Sequence, residues 1–419
     1  MSDWPTTTLG ELIHVKHGYA FKGEHFAETG DKLVLKPGNF PVGGGIKLRP
    51  GKDAYYTGIY PPEFELEPGD MLVVMTDLTQ AAPILGSPAF VPSEPVMLHN
   101  QRLGLVQIKP GAQVDQRFLY YSMLSESARA QVRATATGAT VRHTAPERLY
   151  RVRIGFPDLR VQQSVGEFLG ALDGLIENNR RRAQVLEEMA RTIYREWFVK
   201  FRYPGHESVP LVDSVLGPIP KGWAVSRLAA VASITMGQSP KSEHYNHRGI
   251  GKPFHQGVAD FGSHFPTTRK WCSVDGRSAF AGDILVSVRA PVGRINMADT
   301  DMTIGRGLAA VRARDGRQAL LLGRLRELFA EEDSIGNDGA IFKTLGRSEF
   351  ASLPVINAPE GLSQTANEVL SDNLSMIEAL TLSERRLSRM RDLLLPKLVS
   401  GQIDMASLNL DRVLEEAIE

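Results

Sequence analysis

The residues from Pro157 to Pro204 constrain this chain more than any other stretch. Apolar residues recur there at heptad spacing: Val165, Leu172, Leu186 and Ile193 in one row, Phe168, Leu175 and Met189 in the next, and Leu169, Ile176, Ala190 and Trp197 alongside. This is the pattern of a long amphipathic helix, with Asp158 as its N-cap after Pro157 and Pro204-Gly205 as its stop. A helix of about forty residues spans roughly 60 Å, far more than a globular core needs. The stretch reads as a spacer.

The spacer pattern occurs twice. Gln163, Ile176, Leu186 and Met189 have counterparts in Gln364, Ile377, Leu387 and Met390, and Leu380, Leu387 and Leu394 repeat the apolar stripe. Upstream of each spacer the correspondence continues. Trp4, Leu9, Gly18 and Glu24-His25-Phe26 recur as Trp223, Leu228, Gly237 and Glu243-His244-Tyr245, and Gly69-Asp70-Met71-Leu72-Val73 recurs as Gly282-Asp283-Ile284-Leu285-Val286. This is an internal duplication. It divides the 419 residues into a globular domain over 1–157, a long helix over 158–203, a Pro-rich linker over 204–221, a second domain over 222–357, a second long helix over 358–403 and an acidic tail over 404–419.

The expected fold class is α+β: two mixed α/β domains, each followed by a long helix. Two equivalent helices in one chain favour an antiparallel coiled coil, seamed by Val165, Leu172, Leu186 and Ile193 against Leu380, Leu387 and Leu394. Ordinary core helices or a homodimeric coiled coil are the plainer alternatives. Asn179 and Asn373, polar at core-row positions, either fix the register or face solvent. In the first domain Leu33–Leu35, Tyr55-Tyr56, Leu72–Met75, Leu103–Ile108 and Tyr150–Phe156 read as strands and Arg117–Arg133 as a helix. The second repeats the order, with strands Ile284–Val288 and Leu308–Ala313, helix Leu320–Glu332 and strand Phe350–Ile356. Its long helix runs from Ser363 to about Ser400, with Pro396 kinking or ending it and Gly401 as a C-terminal cap.

Several function classes drop out. Lys and Arg number 48 and so do Asp and Glu, so bulk charge does not hold nucleic acid, and any DNA-binding face must be made by local gathering of cations. Cys272 alone permits no internal disulfide and no Cys-rich zinc site, which fits a reducing cytoplasm. MSDWPTTTLGEL lacks a signal pattern and no apolar run approaches membrane-spanning length, so a cytoplasmic location without a membrane partner is expected. A phosphate-cradling Gly-Lys-Ser/Thr loop, a dinucleotide-binding Gly-x-Gly-x-x-Gly, a Glu-x-Lys nuclease triplet and an amino-methyltransferase Asn/Asp-Pro-Pro motif are all missing. No catalytic residue, bound cofactor or metal ligand is assigned. The His-x-x-His pairs His14/His17 and His244/His247 lack a further ligand at a usual spacing and read as surface or capping histidines.

What the loops do contain is basic residues interleaved with aromatics and amides. In the first domain these are Lys16, Lys22, Lys47, Arg49, Lys52, Tyr55, Tyr56 and Arg102. In the second they are Gln238, Lys241, Tyr245, Arg248, Lys252, Gln256, Arg269, Lys270, Arg289, Arg294 and Arg306. Arg and Lys neutralise phosphates or read guanine edges, and Gln reads adenine. Any one of them alone is ordinary solvated loop charge; the clustering makes them candidates for double-stranded DNA.

The layout resembles the specificity subunit of type I restriction-modification systems. Leu216-Gly217-Pro218-Ile219-Pro220-Lys221-Gly222-Trp223 is similar to the Leu-Gly-x-Ile-Pro-x-Gly-Trp that opens this family's second domain, and Pro157–Gln163, Leu169–Ile176, Gly282–Leu285 and Leu393–Gly401 also resemble family motifs. The resemblance implies a DNA-reading subunit without catalysis of its own, each target-recognition domain reading one half of a bipartite, asymmetric site. It implies two adenine-N6 methyltransferase subunits that use S-adenosylmethionine, and restriction subunits that use ATP and Mg, docked on the helices. The second helix departs from the first, with Asn373 in place of Leu172 and Arg391 in place of Thr192, so the two docking surfaces are expected to differ. The rival readings are a stand-alone DNA-modifying enzyme and a coiled-coil adaptor that binds only proteins.

Overall fold

The computed structural model describes residues 4–334 and 344–405. The chain folds into two compact units, one holding the residues up to Glu177 together with those from Arg385 onward, the other Asn178–Glu384. Each long helix, Leu159–Tyr194 and Glu360–Val399, therefore gives one segment to each unit. From residue 406 on, the acidic tail lies outside the described residues.

In the second unit the two segments run antiparallel. Asn179 Nδ2 donates to Ser383 Oγ at 3.1 Å, Arg180 pairs with Glu384 at 2.6 Å, and Ala183 packs with Ile377 and Leu380 beside Leu186, so numbers rise along one helix as they fall along the other. Asn179 is thus a cross-helix register contact, whereas Asn373 turns back to the Val369 carbonyl of its own helix. In the first unit Val165, Leu169 and Leu172 share a core with Met390, Leu394 and Leu398, and Leu387 packs at its edge. Leu175 and Met189, read from sequence as part of the apolar face, are each 50% exposed, because a two-helix seam buries a narrower stripe than three rows.

Asp158 caps the first helix, its Oδ1 accepting from the Arg160 and Val161 amides. The other end differs from expectation: the helix widens into a π-turn over Arg195–Val199 and stops before Pro204. Phe201 then takes a left-handed φ of 57°, a conformation that costs a non-glycine residue on the order of 1–2 kcal/mol. The turn brings Phe198, Phe201 and Tyr203 around Trp223, with ring centroids 5.6, 5.3 and 5.4 Å away, and this burial offsets the strain. Ile193 packs at the edge of this cluster. In the first unit Trp4, the sequence counterpart of Trp223, packs on Phe118.

Each unit carries the same sheets. In the first, β1 (Ile13–His17), β2 (Met71–Val74), β3 (Pro88–Phe90) and β4 (Leu103–Ile108) form an antiparallel sheet in the order β1-β4-β2-β3. In the second, β5 (Ala232–Met236), β6 (Ile284–Ser287), β7 (Ile295–Met297) and β8 (Leu308–Ala313) repeat it as β5-β8-β6-β7. A second sheet of short strands, four in the first unit and five in the second, accompanies it in both and is built on one parallel pair: Lys32–Val34 with Val96–Leu98, and Lys252–His255 with Met302–Ile304. The central strands β2 and β6 are buried at every residue, as their unbroken apolar runs predict. Two local expectations fail. Arg117–Arg133 is two helices, Gln116–Leu124 and Glu126–Ala134, because Ser125 caps the second by accepting from the Ala128 amide. Phe350 lies on a short helix, Arg347–Ser352, and only Pro354–Asn357 is strand.

In the first unit Asp173 ties the domain to both helix segments: Tyr121 donates to its Oδ2 at 2.7 Å and Arg391 to its Oδ1 at 2.9 Å. Arg391, expected to mark a docking surface, is thereby drawn into a structural ion pair. Asp173→Ala leaves the buried Tyr121 hydroxyl without its acceptor and leaves Arg391 with Asp392 alone, and should destabilise this unit by about 2 kcal/mol, a few degrees in Tm by calorimetry, with Asp173→Asn milder.

A second prediction concerns pH. His99 is fully buried, its Nε2 donates to the Leu103 carbonyl at 3.0 Å, and burial pushes its pKa down from 6.5 to about 4. The unfolded chain takes up this proton first as pH falls. Stability is therefore intact above pH 6.5 and declines toward pH 4, by on the order of 3 kcal/mol from this residue. Thermal melts across that range should show the decline, and His99→Gln should make it shallower.

Candidate nucleic-acid interface

The two units build one surface feature in the same way. In the second, the turn Gly305-Arg306-Gly307 leads into β8 and is fastened to three neighbouring strand ends: the Gly305 amide donates to the His255 carbonyl at 2.8 Å, the Val288 amide to Gly307 at 2.9 Å, and the Gln238 amide to Ile304 at 3.0 Å. The Arg306 amide adds a bond to Ser239 Oγ at 3.2 Å. Glycine is required on both sides of this closure. A Cβ on Gly237 would lie 2.2 Å from the Gly305 carbonyl oxygen, and one on Gly307 would lie 2.4 Å from that of Gln256. The duplicated Gly18 meets the same limit, 2.1 Å from the Asn100 carbonyl oxygen. There the Tyr19 amide donates to His99 at 2.8 Å and the Met75 amide to Arg102 at 3.0 Å, so the turn before β4 is held like the turn before β8. The glycine that the duplication preserves is a backbone crossing with no room for a side chain.

Around the second turn, Gln256, Ser287, Arg289 and Arg306 line a cleft of about 200 Å³. Three sequence candidates thus come together: Gln256, Arg289 and Arg306, all exposed. The Arg289 backbone is fixed by a bridge to Thr344, next to the bond from the Leu345 amide to the Val288 carbonyl. Arg294 lies apart, on a larger cleft of about 560 Å³ with Arg191, Arg326, Phe261 and Phe329.

Around the first turn the cations are Lys36, Arg49 and Arg102. Burial, together with Arg49 and Arg102 nearby, pulls the Lys36 ammonium below its ordinary pKa, and its Nζ lies 4.3 Å over the Phe26 ring. Sequence reading singled out Arg49 and Arg102 but passed over Lys36. The available signal was its place one residue past the Leu33–Leu35 strand; the parallel strand pairing that turns it toward Arg102 had no local signature. Arg49 is braced by Asp53 at 3.9 Å and packs its guanidinium over Gly38.

The remaining candidates scatter. Tyr56 is a core residue, 5% exposed, with Phe21 and Phe26 rings 4.8 and 5.6 Å away, so it cannot reach a partner. Tyr55 is half-buried on the same strand, and Tyr245 stacks on Phe254 at 4.4 Å and donates to the Pro240 carbonyl, which makes it a framework residue too. Lys16 is held by the Glu63 carbonyl at 3.1 Å, Lys252 by Asp275 at 3.3 Å, Lys241 by Glu243 and Arg269 by Asp260. Lys22, Lys47, Lys52, Gln238, Arg248 and Lys270 are exposed outside the two clusters. Among the described residues no group of three His, Cys, Asp or Glu is placed to hold a metal ion, and no helix is long and apolar enough to cross a membrane.

Residues 1–188 match the family model of the type I restriction modification DNA specificity domain. A protein of Methanocaldococcus jannaschii provisionally described as the MjaX type I restriction enzyme specificity subunit is 28% identical over 259 residues, 61% of this chain and 60% of its own length. The HindI specificity subunit of Haemophilus influenzae is 20% identical across 96% of this chain and 100% of its own. The crystal structure of the type I S subunit from M. genitalium matches with a TM-score of 0.61 at 15% identity, covering 95% of this chain and 96% of that one, so the fold is shared end to end. Over residues 1–188 the chain is thus similar to the DNA specificity domain of type I restriction-modification systems, and the relatives it matches are specificity subunits. It spans 60% of the length of the MjaX relative and 33% of a second M. jannaschii relative, MjaIX.

Given these similarities, the two turn surfaces are the ones to test first. Arg102→Ala or Lys36→Ala should weaken binding of duplex DNA by the full chain, and should lower the slope of log affinity against log salt by about one each if they meet phosphates. Lys22→Ala, outside the cluster, should have a smaller effect in the same titration.

Proposed function

We propose that this chain is the DNA sequence-specificity subunit of a type I restriction-modification assembly. Each domain reads one half of a bipartite, asymmetric site. The paired helices carry two adenine methyltransferase subunits and, through them or beside them, the restriction subunits; S-adenosylmethionine, ATP and Mg act on those partners. The chain itself does no chemistry and works in the cytoplasm.

The observation that supports this reading is one turn built twice on one backbone scheme and surrounded by different side chains. A symmetric protein would read a palindrome. Here the position of Arg289, just beyond β6, is taken in the first unit by Thr76, which is buried and bonded to His143 Nδ1 at 3.1 Å. Unlike side chains on like scaffolds give two unlike half-sites. The likeness to type I specificity subunits supports the class of partner, and the exposed helix residues Leu175, Met189 and Met376 offer apolar surface for protein contacts.

The test is an exchange of modules. Replacing residues 222–357 by the equivalent module of a relative, in the chain assembled with its methyltransferase, should change the bases methylated in one half-site and leave the other half unaltered. Sequencing that detects N6-methyladenine reads the outcome directly. A change in both halves at once would defeat the one-domain, one-half-site reading.

A further inference from the structure

Resting on the proposal that the chain reads DNA, we infer that the second domain's cleft recognises a guanine through the paired acceptors of its major-groove edge, with Arg306 and Arg289 as the specificity-determining donors. Arg306 and Arg289 sit on backbone that hydrogen bonds or bridges hold in place, so their side chains leave from fixed points. Among the described residues no carboxylate pairs with either guanidinium, and none of the polar side chains there bonds the Gln256 amide. Other cations of the same domain differ: Lys241, Lys252 and Arg269 are each beside an acid. The cleft therefore presents unspent hydrogen-bond donors, whereas Lys241, Lys252 and Arg269 present charge already matched by an acid.

The donor set selects among bases. A guanidinium offers two parallel N–H groups, and guanine alone shows two adjacent acceptors, N7 and O6, in the major groove. Adenine opposes the second N–H with its own N6 donor, cytosine presents a donor, and thymine one acceptor beside a methyl group. Gln256 adds an acceptor and a donor from a neutral group, which does nothing to neutralise phosphate but matches an adenine next to the guanine. A phosphate site would need the charge and not the amide. The first unit lacks this set, with Thr76 in place of Arg289, so guanine readout by paired arginines is assigned to the second half-site only.

The experiment uses the full chain assembled with its methyltransferase subunits, selecting from a random-sequence duplex library. Wild type should yield a site with a guanine that Arg306→Ala or Arg289→Ala no longer selects, discrimination there falling by about tenfold or more. Arg306→Lys, which keeps the charge and loses the paired donors, should lose discrimination at that base with little change in salt dependence. Substituting 7-deazaguanine at that position should weaken wild type by a similar factor and leave the matching Ala variant unaffected. If the relaxed position is not guanine, the residues read another base, and if both Ala variants weaken all sequences equally with a shallower salt slope, they meet phosphate; either result overturns the inference while sequence-specific binding stands. If wild type selects no sequence, the DNA-reading proposal fails with it.

Discussion

Neither long helix can bury its apolar row by itself, and the rest of the structure follows from that constraint. A helix standing alone in water gains most of its stability from packing of one face, not from propensity. The first long helix finds that packing in pieces: Val165, Leu169 and Leu172 in one unit, Ala183 in the other, each against an antiparallel segment of its counterpart. In the first unit the domain also leans directly on the helix, so closely at Gly166 that a Cβ there would lie 2.7 Å from Asp115 Oδ1. Asp173 completes the junction, satisfied by donors from a domain helix and from the second long helix.

On that frame the two turn surfaces separate rigidity from identity. The glycine crossings at Gly18 and Gly237 and the amide bonds around them concern backbone alone, and they recur in both units. The side chains that face outward from the closed turns are free to differ, and they do. Such a division lets a domain change what it contacts without changing how it folds.

Much of this was legible in the sequence, and the exceptions share a cause. The duplication, the long helices, the central strands β2 and β6 and the capping Asp158 all carry local signatures: periodicity, an unbroken apolar run, or one residue at a helix start. Tyr56 was misread because the stretch Lys52-Asp53-Ala54-Tyr55-Tyr56 looks the same whether a ring faces solvent or Phe21; burial is decided by residues far away in the chain. Lys36 was missed because its cluster with Arg49 and Arg102 depends on a parallel strand pair and a long loop closing together. Ser125 reads as one more helical residue until its hydroxyl is seen capping the next helix. The π-turn before Lys200 answers to Trp223, beyond the end of any helical window.

The division of the chain into its two units has a consequence for the order of its making. The core of the first unit contains Met390, Leu394, Leu395, Leu398 and Val399 as well as Val165 and Leu172. As the chain leaves the ribosome, the first domain is therefore finished in sequence long before it is finished in space. Roughly two hundred further residues separate Glu177 from Arg385, and at 5–20 residues per second the apolar face awaiting them stays uncovered for about 10–40 s. The second unit, made without interruption, has no such interval. The domain translated first is the one that closes last, and a nascent chain of this kind has a built-in period of dependence on whatever shields apolar surface in the cell.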